Sequence, residues 1–247
     1  MLSEKPWKPE AVLRLLLGAL VCLTLSSVVL HVLLPADALR TGPGQFLTLL
    51  VSTIGFHWMA LLLIAAFLRE HQTGWVAAFG FNAPQLWRAV LLGLAAAVVI
   101  LPVAWMLGNW ANQLILHFAE QAPARQTAVQ AVEAAAGLDQ QLYAMFSTLL
   151  LAPLVEEVLF RGILYPSVKQ LGFPRVALWG TSLFFAFIHN SLMAFVPLTL
   201  LSLLLVWLYE RTGNLLAPIL THCLFNTANY VLLRHERELR QFLDSFK

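Results

Sequence analysis

Long apolar runs constrain this chain more than any other feature. Residues 11–34, 46–68 and 87–118 each hold ~20 or more mostly apolar residues, the length that crosses a bilayer's hydrocarbon core as a helix. Further runs begin near Leu142 and cover residues 176–189, 193–209 and 215–233. Inside lipid each backbone N–H and C=O must bond within its own segment, so runs of this kind fold as helices. The pattern predicts an all-α polytopic bundle of about seven to eight spans, built as one membrane domain over residues 1–247. Composition agrees: 60% of the 247 residues are hydrophobic and 11% charged, against about a quarter charged in soluble domains. A formal net charge of +2 gives no basis for nucleic-acid binding.

The first run follows Lys5 and Lys8, lacks a small-residue cleavage site and is followed by further spans, so it reads as a retained helix. Pro102 predicts a kink or an interfacial end in the third run. Residues 120–141 are polar and rich in Ala and Gln, a loop with a short surface helix. Lys5, Lys8 and Arg14 favour a cytoplasmic N-terminus. Seven crossings would then leave Arg234, Arg237, Arg240 and Lys247 outside, which asks for a re-entrant segment or a different path for residues 87–118. Cys22 and Cys223 lie in apolar runs without metal spacing and read as small core residues.

Ionisable groups inside these runs are costly, by ~3 kcal/mol or more each on insertion scales. Glu156, Glu157 and Arg161 interrupt the stretch LAPLVEEVLFRGIL. Glu157 and Arg161, four apart, share a helical face and can neutralise each other, while Glu156 points elsewhere and stays available for proton transfer. His189 ends the fifth run, and His222 and Asn226 lie four apart in the seventh. Together these groups could activate a water, directly or through a metal, and stabilise an oxyanion. The residues taken alone also allow a proton relay or a packing cluster. His31, His57 and His117 read as satisfied core residues, His71 and His235 as solvated, and Asn229 as an interhelical hydrogen-bonding group.

The order of these groups resembles the CAAX protease and bacteriocin-processing family of intramembrane endopeptidases. Glu156-Glu157-Val158-Leu159-Phe160-Arg161 resembles that family's EExxxR motif, Phe185-Ala186-Phe187-Ile188-His189 its FxxxH motif, and His222-Cys223-Leu224-Phe225-Asn226 its HxxxN motif. The stretch GFNAPQLW, before the third run, resembles a common family lead-in. The resemblance implies a catalytic core over about residues 142–233 around a conical, partly water-filled cavity. It implies Glu156 as general base, His189 assisting it, His222 and Asn226 on the oxyanion, and Glu157, Arg161 and Phe185 in support. Two chemistries stay open: a glutamate peptidase with no cofactor, or a zinc enzyme with Glu156, His189 and His222 as ligands. The expected partners are membrane lipid and a peptide or protein substrate, lipidated in some family members, and the expected location is a bacterial inner membrane. The alternative is a non-enzymatic scaffold or bacteriocin self-immunity protein that keeps the fold.

Overall fold

A computed structural model describes residues 4–39, 41–81, 86–118 and 127–244. Residues 82–85 of the lead-in stretch and 120–126 of the polar loop lie outside the described residues. Seven principal helices follow the apolar runs: α1 Pro9–Leu33, α2 Gly42–Glu70, α3 Leu86–Phe118, α4 Leu138–Gln170, α5 Pro174–Ile188, α6 Leu192–Thr212 and α7 Leu216–Asp244. Six of them are long and apolar enough to span a membrane. The seventh expected span, α5, has 15 residues and covers ~22 Å, less than the ~30 Å hydrocarbon core. Among the described residues there is no strand.

Two expectations shift in detail and one holds. Pro102 lies inside one uninterrupted 33-residue helix. The polar loop holds a short helix, Thr127–Ala134. The last helix does not stop near residue 233 but continues to Asp244.

Small residues decide which helices meet. Along α3 the buried positions include Ala89, Gly93, Ala96, Ala97 and Ala104, so α6 and α7 pack closely against it. A Cβ on Gly93 would lie 2.9 Å from the Ala217 carbonyl, and Thr221 Oγ1 donates to the Gly93 carbonyl at 2.9 Å. At one end of the bundle Gly80 and Gly213 take left-handed φ values of 74° and 61°. A side chain on Gly80 would strike the Gly213 carbonyl, while Leu215 N–H donates to Phe79 O at 2.9 Å. The segment before α1 is pinned at that end: the Trp7 indole N–H donates to the Gly162 carbonyl at 3.0 Å, and Lys5 Nζ donates to Ala78 O at 2.7 Å.

Burial is uneven. Only 17% of the apolar window of α1 and 22% of that of α2 is buried inside the protein, against 44% for α4 and 50% for α6. The first two helices therefore present mostly lipid-facing surface, and the packed interior centres on α4 and α6.

The histidines read as core residues do not all sit there. His31 and His117 are exposed, since their helices turn those faces outward. His71 is half-buried rather than solvated: its Nδ1–H donates to Phe67 O, and its Nε2 accepts from Lys8 N–H. Asn229 joins two helices as expected, accepting from Trp105 Nε1–H at 3.0 Å.

Candidate active site

Helix α4 carries both glutamates, and it is not a regular α-helix. Residues Phe146–Leu151 and Val158–Leu164 run at π-helical pitch on either side of Ala152–Glu157. Prolines explain part of this. Pro153 and Pro166 supply no N–H to the hydrogen-bond ladder, and wider turns are one way a long helix absorbs the gap. Ala152 N–H reaches back five residues to Ser147 O. The next bond in that register would run from residue 153 to Thr148 O, and proline cannot make it. Asn226 of α7 fills the vacancy: its Nδ2–H donates to Thr148 O at 3.0 Å. The proline thus creates a docking point for α7 beside the glutamates.

The two carboxylates face different surroundings. Glu157 is fully buried and Arg161 nearly so, with Nη1 to Oε1 at 2.8 Å, the i, i+4 pairing the sequence predicts. The same Glu157 oxygen accepts from His222 Nδ1–H at 2.8 Å. Arg161 also donates from Nη2 to Ser202 Oγ at 2.8 Å and lies over the Phe185 ring at 4.4 Å. Removing one partner from such a sealed pair strands a charge, at a cost of ~3–5 kcal/mol.

Glu156 is different. Its side chain keeps 17% exposure and His189 keeps 20%, against 0% for Glu157 and 2% for His222, so water can reach the first pair and not the second. Glu156 Oε2 lies 3.9 Å from His189 Nε2 and 3.9 Å from His222 Nε2. That is too long for direct hydrogen bonds and suits an interposed water.

The position of His189 follows from the end of α5. Asn190 takes a left-handed φ of 47°, which stops the helix, and Ser191 caps α6 by accepting from Ala194 N–H. His189 thus sits in the turn, its Nδ1–H donating to Phe185 O at 2.7 Å. Phe185 itself packs against both imidazoles, with ring centroids 4.7 Å from His189 and 5.7 Å from His222.

Both Nδ1 protons are committed, so in their neutral forms the two rings turn their Nε2 lone pairs toward Glu156. The outer ring nitrogens are fixed by a carboxylate and by a backbone carbonyl, the usual way a reactive imidazole is oriented. Three acceptors then converge on one gap. A water there can donate to two of them and keep a lone pair for attack. A tetrahedral zinc ion would ask for ligand atoms about 3.4 Å apart. The 3.9 Å separations are wider, and among the described residues no group of three or more His, Cys, Asp or Glu side chains is spaced to hold a metal. The donor set as arranged is more open than a closed tetrahedral zinc site.

Glu156, Glu157, Arg161, Phe185, His189 and His222 are therefore brought together, while Asn226 joins through the Thr148 carbonyl. Two residues escaped the sequence reading. Ser202, in a Leu-rich helix, gave no signal. His57, read as satisfied, has a buried Nδ1 without a partner among the described residues.

Comparison with known proteins falls on the same stretch. Residues 138–228 match the family model described as type II CAAX prenyl endopeptidase Rce1-like. The chain is also similar to the uncharacterised protein YpbD of Bacillus subtilis (strain 168), 35% identical over 100 residues. That alignment covers 39% of this chain and 48% of the relative, so the chain matches about half of that protein's length. No solved structure matches the chain.

Proposed function

We propose, from a motif-bearing segment that matches the Rce1-like type II CAAX prenyl endopeptidase family model, that this chain is an intramembrane endopeptidase acting in a bacterial inner membrane. It hydrolyses a peptide bond in a membrane-associated or lipid-modified peptide, and residues 1–247 act as one membrane domain. The observation that carries this reading is the 3.9 Å spacing of Glu156 Oε2 from both Nε2 atoms, with Glu156 and His189 open to water.

A water in that gap donates one proton to Glu156 and the other to His189 Nε2, which aims an oxygen lone pair at the scissile carbonyl carbon. Glu156 takes the proton as the C–O bond forms, and returns it to the amide nitrogen as the C–N bond breaks. Glu157 holds the His222 ring so that Nε2 faces the reacting atoms. Only as an imidazolium, with a solvent proton delivered through the open Glu156–His189 side before the substrate binds, can that nitrogen donate to the oxyanion. The second N–H of Asn226, the one not bonded to Thr148, is the other available donor.

The test is reconstitution in bacterial-lipid vesicles with a farnesylated CAAX peptide and a set of membrane peptides, with new termini read by mass spectrometry. The wild-type chain should cut at least one of them and Glu156→Gln none. Cleavage by Glu156→Gln at the wild-type rate would remove Glu156 as the base, and no new terminus from the wild type would leave the scaffold reading in place. Chelation should not change the rate. A loss restored by Zn²⁺ would instead assign an ion to Glu156, His189 and His222.

A further inference from the structure

Hydroxyl residues within these helices mostly bond their own helix. Thr181 donates to Ala177 O, Thr199 to Phe195 O, Thr212 to Leu208 O and Ser167 to Ile163 O, each one turn back. This is the ordinary way to satisfy a hydroxyl in an apolar helix. Ser202 departs from it. It is buried in the middle of α6, and its Oγ accepts from Arg161 Nη2 on α4 at 2.8 Å, with the Ser202 carbonyl 3.5 Å from the same nitrogen.

The contact is the first in a line. Arg161 Nη1 holds Glu157 Oε1 at 2.8 Å, and that oxygen holds His222 Nδ1–H at 2.8 Å. All four side chains are at most 2% exposed. The guanidinium is planar, so fixing Nη2 on α6 while Nη1 grips Glu157 sets the plane of the whole group. The Phe185 ring, 4.4 Å from the guanidinium carbon, closes one side of it. Glu157 accepts both bonds on one oxygen, and its other oxygen is buried without a partner among the described residues. The second oxygen gives no further anchor, so the orientation of the carboxylate depends on the two bonds to Oε1, of which Arg161 makes the charged one.

We propose that Ser202 is a positioning residue of the active site: by fixing the Arg161 guanidinium it holds Glu157, and through it the tautomer and direction of the His222 ring. A hydroxyl on the sixth helix thereby orients an imidazole on the seventh. The kinetic part of this inference rests on the hydrolytic reading, and the spectroscopic part does not.

The test uses the full chain in detergent micelles with ¹⁵N-labelled histidine, the His222 ring signals being assigned by their loss in His222→Gln. In the wild type, His222 should show a single tautomer with a hydrogen-bonded Nδ1 proton. Ser202→Ala should broaden that proton or mix the tautomers, and Ser202→Thr, which keeps the hydroxyl, should restore it. Where Ser202→Ala does not fold, Ser202→Cys, a close match in size but a weak acceptor, should show the same loss in part. In vesicles, Ser202→Ala should lower kcat about 10–100-fold at unchanged KM, the usual effect of removing an outer partner. An unchanged His222 signal in a folded Ser202→Ala or Ser202→Cys protein would make Ser202 a packing residue and overturn the proposal. A wild-type chain that cleaves nothing, with the His222 signal moving as expected, would defeat the hydrolytic reading and leave the positioning role standing.

Discussion

Glu156 and Glu157 are neighbours in the chain and occupy two different regions of the protein. Glu157 belongs to a sealed network of Arg161, Ser202 and His222, where one carboxylate oxygen takes both hydrogen bonds and water is excluded. Glu156 belongs to an open one, with His189 beside it and both side chains partly exposed. The difference teaches that one motif can carry two jobs. A sealed ion pair fixes geometry at the expense of reactivity, and a partly exposed carboxylate keeps its proton chemistry available.

The largest effect should come from breaking the sealed side. Arg161→Ala leaves the buried Glu157 without its cation, and should lower the unfolding free energy by ~3–5 kcal/mol in denaturant titrations. A loss under ~1 kcal/mol would mean that the network is not sealed. On the open side, His189→Gln should reduce cleavage about 100-fold, the lower end for a proton-transfer group, while its unfolding curve overlays the wild type. A shifted curve would move His189 into the structural class.

A smaller effect sharpens the boundary between the two. Gly162 lies one residue beyond Arg161, and a Cβ there would come within 2.7 Å of the Phe79 ring, which is fully buried. Gly162→Ala should cost ~1–3 kcal/mol of stability by overpacking. The smallest is at Asn229, away from both carboxylates. Replacing it by Ala removes the Trp105 bond and should cost ~0.6 kcal/mol without changing cleavage, since interhelical hydrogen bonds in membranes are weak.

Much of this was readable from the sequence because membrane burial makes each polar residue conspicuous. Apolar length alone placed the helices, and the i, i+4 rule paired Glu157 with Arg161. What escaped has physical reasons. Ser202 is small and uncharged, so nothing in a Leu-rich run marks it as the partner of a guanidinium three-dimensionally adjacent but 41 residues away. His57 looks like any half-buried imidazole until its unpartnered Nδ1 is seen. His31 and His117 were placed in the core because apolar neighbours in sequence do not say which face of a helix meets lipid. The docking of Asn226 had a readable clue. Pro153 follows Thr148 by five residues, which orphans a carbonyl only if the local pitch is that of a π-helix, and pitch is set by tertiary packing. The bounds of α5 were readable, since the run 176–189 nearly matches Pro174–Ile188 and the left-handed turn at Asn190 ends it.

The division between the two glutamates is tested most directly by measuring cleavage and unfolding side by side for Glu156→Gln and Glu157→Gln in the same vesicles and micelles. Glu156→Gln should unfold like the wild type and cleave at least 100-fold more slowly, while Glu157→Gln should unfold more readily. Wild-type cleavage by Glu156→Gln would contradict the assignment of the reactive base.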